Sequence, residues 1–396
     1  MRAAPESSQP DSGTLRMSRA IFFERLPGYV GQVLLLAAVG WLLWQGVANF
    51  ESNVRASGLS AGFGFLRTQA GFEIAQALIA YSPASTYLDA IVVATLNTLL
   101  VVALAGVFST VIGLGVAFAR LAPSGLVPAA AATYVEGFRN IPLLLQILFW
   151  YFSAIALLPS VGESIRIGAI LVNNRGIFLP RLAMTPAAAW ALAAAIVAFV
   201  VVTLLARRLL AAAMKRPGTC VPVVAGVFVL CFAPLLLLDA PLALDRPQVE
   251  GFAVGGGFAI LPELMALTLG LSIYNSTFLA EIFRAGILSV PRGQAEAAAS
   301  VGLTGIRAAL LITLPQALRV ALPAAGGQYQ TLAKASSLAA AIGYPDIMQI
   351  GGTVASQTSQ ALEAMTLVVV LYAAINLSIA LAVGFANRRL LAREGR

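Results

Sequence analysis

Histidine is absent from the 396 residues, lysine occurs twice, at Lys215 and Lys334, and the two cysteines, Cys220 and Cys231, share one apolar stretch. Without histidine, neither a His/Cys metal cluster nor a Ser/His nucleophile can be assembled. Two cysteines allow no disulfide framework beyond a single pairing with each other. Neither lysine ends a G-x-x-x-x-G-K-[ST] run, so the chain has no phosphate loop of its own with which to hydrolyse ATP. Gly255-Gly256-Gly257 lacks the rest of a nucleotide fingerprint and reads as a loop hinge. Charge is also scarce: charged residues make up 11% of the chain and hydrophobic ones 59%, with a mean hydropathy of +0.88. Ordinary globular domains carry about 25% charged residues, so this composition belongs to a polytopic membrane protein.

A spanning helix needs roughly 20 mostly apolar residues. Eight stretches qualify: Gly28 to Ala48, Asp89 to Ala119, Pro142 to Leu158, Ala187 to Ala206, Val221 to Leu238, Leu261 to Phe283, Leu318 to Ile342 and Ala364 to Ala386. With Met1 to Pro27 placed in the cytoplasm, eighteen Lys and Arg residues fall inside and six outside, and Lys334 stands within the seventh span. That bias satisfies the positive-inside rule, and adding or removing one span would invert every later loop and destroy it. Both termini are then cytoplasmic. The first apolar run is longer than the core of a signal peptide and reads as an uncleaved helix.

The outer segments Phe50 to Leu88 and Pro159 to Pro186 read as short external structure rather than domains. The inner segment from Val290 to Ala317 is different. It is rich in Ala, and Arg292, Gln294, Glu296 and Arg307 make it too polar for lipid. It reads as two short helices at the inner face, with Pro291 at a start, Gly302 at the break, Thr304 as a cap and Pro315 disfavouring further winding.

Within this hairpin the spacing is Glu296-Ala297-Ala298, three residues, Gly302, nine residues, then Ile312-Thr313-Leu314-Pro315. It resembles the EAA loop, E-A-A-x3-G-x9-I-x-L-P, of the permease subunits of ABC importers. Small Ala faces let a short helix enter a groove, the Gly lets two helices fold at an angle, and Glu296 offers an ion pair to a partner. An interfacial hairpin without a partner is the plainer reading; the complete spacing argues against it.

Three further segments are similar to the polar amino-acid branch of that family. They are Tyr134 to Gln146, with Ile141 where Thr is usual; Ser276 to Ile287; and Gly327 to Leu338, with Ala335 in place of the usual Asp. Members of that branch resemble a five-span core. The leading helix, Gly62 to Leu66, Ala70 to Ile74, Asn173 to Gly176 and two added spans make this chain look like the larger permease of general L-amino-acid or glutamate/glutamine/aspartate/asparagine importers.

The resemblance implies an all-α membrane protein with the MetI-like transmembrane fold of type I ABC importers. Residues 1–88 would form an N-terminal part and 89–386 the permease domain, with a helix pair inserted at about 160–259; 387–396 would be a tail. It implies a bacterial inner-membrane subunit that translocates polar L-amino acids and is not itself an enzyme. The partners implied are a second permease in a heterodimer, two ATPase subunits that hold ATP-Mg, and a periplasmic solute-binding protein. This chain binds no cofactor and no nucleic acid. The coupling residues would be Glu296, Ala297, Ala298, Gly302, Ile312, Leu314 and Pro315. Polar residues within spans are costly, and so are candidates for the solute path: Lys334, Glu281, Ser336, Ser337, Asn97, Gln146 and Gln328. Lys334 suits an α-carboxylate. Glu281 could meet an ammonium group or instead pair with Lys334 or Arg284, and Asn97 and Gln146 could tie helices together. A stand-alone secondary transporter or channel is the rival class; it would need no such hairpin, and no inverted repeat is evident.

Overall fold

The structure is a computed structural model that describes residues 30–42, 44–49, 52, 62–123, 125–183, scattered positions between 191 and 205, 217–232, 243–251 and 253–391. Among them, five helices are long and apolar enough to cross a bilayer, and a bent pair makes a sixth span. The first is α1, Val30–Asn49. Helix α2, Tyr87–Arg120, starts on a capping box in which Thr86 and Asp89 exchange hydrogen bonds, satisfying two orphan donors of the first turn. The third expected span, Pro142 to Leu158, is α4, Leu143–Leu157, and it meets at 99° a helix outside the eight expected stretches, α3, Leu126–Asn140. Pro142 imposes that corner, because the residue before a proline is driven out of helical conformation; Ile141 is extended, at ψ 126°. The fourth and fifth expected spans lie partly outside the described residues, where apolar helical stretches Ala194–Thr203 and Pro222–Cys231 are seen.

Helix α5, Pro262–Leu288, is the axis of the bundle. Two thirds (67%) of its most apolar window is buried, against 22% for α2 and 11% for α9, Ala361–Leu391. Helices pack around it through small residues, which lets backbones approach where lipid supplies no hydrophobic drive. A β-carbon at Gly113 of α2 would stand 2.9 Å from Leu279 Cβ. One at Gly286 would stand 2.8 Å from the Ala317 carbonyl oxygen on α7, Leu314–Ala335.

Two expectations are corrected at the bundle ends. The outer segments contain strands, where the sequence reading has none: β1, Ile165–Ile167; β2, Ile170–Asn173; β3, Gly176–Leu179; β4, Arg181–Ala183; β5, Ala243–Asp245; β6, Gln248–Glu250; β7, Ala253–Gly255; and β8, Phe258–Ile260. They pair antiparallel as β1-β2-β3-β8, β4-β5 and β6-β7. The registers Ile177↔Ile260 and Arg181↔Asp245 pair residues 176–183 with residues 243–260 across a long stretch of sequence. The Gly-rich run is not a free hinge. Gly256 and Gly257 adopt φ +73° and +70°, and the Gly257 N–H donates to Asp245 Oδ2 at 3.0 Å, fixing a turn between β7 and β8.

At the opposite end, α6, Arg292–Ser300, forms as expected, but the second arm is not a separate short helix at the membrane face. A helical turn at Gly305–Ala308 and a π-helical stretch, Ala309–Thr313, run straight into α7. Pro315 follows directly on the π-helical stretch, where the wider winding already departs from the i→i−4 ladder that a proline interrupts. Helix α7 passes into a 3-10 stretch, Ser336–Ile342, and stops at Gly343, φ +73°; a short helix α8, Ile347–Thr358, follows before α9. Below, the two ends of the bundle are called the sheet end and the hairpin end.

Candidate functional site

The hairpin is built from its backbone upward. Helix α6 ends in a Schellman motif: the Gly302 N–H donates to the Ala299 carbonyl at 3.0 Å, and the Leu303 N–H to the Ala298 carbonyl at 2.9 Å. The motif needs a left-handed residue, which Gly302 supplies at φ +79°. Ala298 is buried against the second arm, and Gln316 Nε2 donates to Gln294 Oε1 at 3.1 Å across the fold. Glu296, Ala297 and Gly302 are exposed, while Ile312, Leu314 and Pro315 are half-buried at the root. Glu296 has no ion pair among the described residues. A β-carbon at Gly302 would meet nothing within 4 Å, so that glycine borders open space. The arrangement is a rigid, small-faced knob with a free carboxylate, standing at the foot of α5 and α7.

Just above it, Glu281 pairs with both Arg120 of α2 and Arg284 of its own helix, the latter at 3.1 Å. This three-charge cluster joins α2 to α5 and accounts for Glu281 without a solute.

Most of the other path candidates are engaged within the chain. Gln328 Nε2 donates to Asn275 Oδ1 at 2.8 Å, and Asn275 Nδ2 to Ser109 Oγ at 3.0 Å, a chain of amides and hydroxyl linking α7, α5 and α2. Gln146 Nε2 donates to the carbonyls of Phe138 and Ile141, at 2.8 and 3.1 Å, capping α3 at its corner with α4. Asn97 Nδ2 donates to the carbonyls of Gln76 and Pro345, at 2.8 and 3.0 Å. Ser336 is buried and Ser337 half-buried, and each hydroxyl donates to a carbonyl three residues back. Lys334 differs from all of these: its side chain is exposed and, among the described residues, makes no hydrogen bond or ion pair. It lies on a face of α7 shared with Val320, Ala324, Gly327 and Thr331, directed away from the rest of the chain.

The sequence reading misses the break between α7 and α8. There Asp346, 1% exposed, caps α8 through the Gln349 N–H at 2.8 Å and accepts from the Tyr372 hydroxyl at 2.8 Å. The Ile347 N–H donates to Thr98 Oγ1 at 3.1 Å, and the Tyr344 hydroxyl to the Asn97 carbonyl at 3.3 Å. Gly343-Tyr344-Pro345-Asp346 is a legible stop-and-restart signal, a left-handed glycine followed by a capping aspartate. The reading also leaves Arg139 without a role. Its guanidinium donates to the Thr277 carbonyl at 3.2 Å and lies 4.9 Å from the Phe278 ring, pinning α3 to α5.

Comparison with known proteins adds the following. Residues 218–392 match the family model described as binding-protein-dependent transport system inner membrane component. The general L-amino acid transport system permease protein AapQ of Rhizobium johnstonii is 38% identical over 91% of this chain and 91% of its own length. The glutamate/glutamine/aspartate/asparagine transport system permease protein BztB of Rhodobacter capsulatus is 34% identical over 98% of this chain and 99% of its own. Among solved structures, an amino acid ABC transporter covers 76% of this chain and 95% of its own at 20% identity, with a TM-score of 0.44, a superposition too loose to transfer residues.

Proposed function

The chain belongs to the amino-acid ABC transporter permeases, a family of binding-protein-dependent inner membrane components, and from this premise we propose that it moves polar L-amino acids by docking its 291–316 hairpin onto a separate ATPase. It is a multi-pass transport subunit with the fold of that family, part of an ATP-driven amino-acid importer in which hydrolysis belongs to partner subunits. In the finer reading, a heterodimer with a second permease stands on two ATPases that hold ATP-Mg and receives solute from a periplasmic binding protein. The hairpin end and both termini face the cytoplasm, and residues 160–259 are an insertion in a permease domain of 89–386. The excess of arginine at the hairpin end supports that orientation, with Arg120, Arg284, Arg292, Arg307, Arg388 and Arg389 there.

One observation carries the reading: a knob closed by its Schellman motif leaves Glu296 without a partner among the described residues, at the foot of α5, the axis of the bundle, and α7. A handle for a motor has to be stiff, exposed and connected to what it moves. Lys334 supports a path between two permeases, because an ammonium directed away from its own chain within a span needs a counter-charge from a neighbour or a solute carboxylate. The rival, a stand-alone carrier, gives the knob no purpose.

The test is Gly302→Asp. Open space around the glycine lets the chain fold, apart from about 1 kcal/mol of left-handed strain. The variant is expected at normal level in the membrane, without co-purifying ATPase. A complex of undiminished yield and uptake refutes the coupling role.

A further inference from the structure

At the sheet end, between the 3-10 turn Phe63–Arg67 and α2, the chain makes a loop that folds back into the bundle. Its base is closed by the bridge Gln69↔Thr86 and by N–H donation from Ala70 to the Ser85 carbonyl, 2.8 Å, and from Gly71 to the Pro83 carbonyl, 3.0 Å. Its body has neither helix nor strand, yet the Gln76 carbonyl reaches Asn97. That is ten residues, about 15 Å, along α2 from Tyr87. Helix α2, at 34 residues, is longer than the hydrocarbon is thick, and backbone without regular structure beside about its first three turns has to be buried in protein or face water. This strap is held by protein: Asn97 uses both protons of one amide nitrogen to clamp Gln76 and, on the other side, Pro345 in the break between α7 and α8.

The strap is not fully satisfied there. Gln76 is 6% exposed, and among the described residues neither its Oε1 nor its Nε2 has a hydrogen-bond partner. A buried unpaired amide destabilises the state that buries it and is relieved when the group returns to water. The base is stapled by several bonds, the capping box and the packing of Phe72, Ile74 and Tyr81, whereas at the tip, residues 75–80, the one hydrogen bond among the described residues is the donation from Asn97. That distribution suits a flap that hinges at 69–71 and 83–86. The break it is clamped to is the far end of the continuous helix that starts in the hairpin, Ala309–Ile342, so displacement of the hairpin is transmitted to Pro345 and from there to Asn97.

We propose that residues 69–86 are a movable gate at the sheet end of the transport path, that Asn97 latches it to the broken span, and that Gln76 sets how readily it opens. This rests on the reading of the hairpin as a handle moved by a separate ATPase, but not on which amino acid is carried. The experiment uses the complete complex in proteoliposomes, with a binding protein and a radiolabelled L-amino-acid mixture. Gln76→Leu replaces the unpaired amide with an apolar side chain of similar size. The gate is then stabilised shut: the melting temperature of the complex rises and ATP-driven uptake slows by about tenfold. A raised melting temperature with unchanged uptake makes the strap a structural element and overturns the gate; an unraised melting temperature overturns the role of Gln76.

A second measurement applies even if that variant fails to assemble. In a Cys220→Ser, Cys231→Ser background, Leu78→Cys at the exposed part of the strap should react with a membrane-impermeant maleimide at rates that differ several-fold between nucleotide-free and vanadate-trapped complexes. Equal rates overturn the proposal. If uptake by the unmodified complex proves independent of the ATPase, the earlier reading has failed instead, and the two failures are distinguishable.

Discussion

The hairpin and the middle of the bundle use similar polar residues to opposite effect. In the bundle, amides and carboxylates face inward: Gln328 to Asn275 to Ser109, Gln146 onto the end of α3, and Glu281 between two arginines. In the hairpin, Glu296 and the edge around Gly302 face outward, and the Glu296 carboxylate has no partner among the described residues. A polar side chain in hydrocarbon must find a partner in its own chain, whereas one at the water boundary is free to wait for another protein. A polar residue in a span is therefore weak evidence of a solute contact until its own hydrogen bonds are counted. Lys334 alone among the path candidates keeps its charge unmatched among the described residues.

The contrast can be broken most forcefully at Gly302. Gly302→Asp should lower uptake by about a hundredfold or more, equivalent to about 2.7 kcal/mol of lost coupling, while thermal stability by fluorescence-detected size exclusion changes little. Next is Lys334→Ala. If its ammonium meets a solute carboxylate, apparent affinity should weaken about tenfold with stability unchanged, measured as the concentration dependence of uptake; unaltered affinity and rate would return Lys334 to the lipid or subunit boundary. Glu296→Gln removes one exposed ion-pair partner and should weaken ATPase association only several-fold, with an effect that fades at high salt. Asn275→Leu sharpens the other half of the contrast: it cuts the α7–α5–α2 chain and should lower stability by about 0.6 to 1.7 kcal/mol. Any uptake it loses should be recovered at lower temperature. An uptake defect there without loss of stability would mean that Asn275 serves the path after all.

How far the sequence could be read follows from what each signal encodes. Long apolar runs report spans directly, because bilayer thickness fixes their length, and the hairpin is legible because Gly302 and the residues at 312–315 stand at a fixed spacing. The corner at Ile141-Pro142 and the unbroken run from Ala309 to Ile342 are less visible, since a proline marks a corner in the first case and is carried within a continuous run in the second. The strands of residues 165–183 are runs of three or four residues punctuated by Gly168-Ala169 and Asn174-Arg175, overshadowed by the hydropathy on either side. In one turn Asn173 accepts from the Arg175 N–H at 2.9 Å. Asp346 carries a local stop-and-cap signal that span counting passes over. Gln76 carries none: nothing in its neighbours along the chain announces a partner at Asn97, and only the folded backbone brings the two together.

The central claim, that the Ala298–Gly302 knob is gripped by a separate motor, is tested most directly by reconstituting the purified chain with its companion permease in vesicles, with and without the ATPase, and following accumulation of labelled L-amino acids against a gradient. Accumulation only when both ATPase and ATP are present, lost on Gly302→Asp, is the predicted result. Uphill accumulation without the ATPase would contradict it.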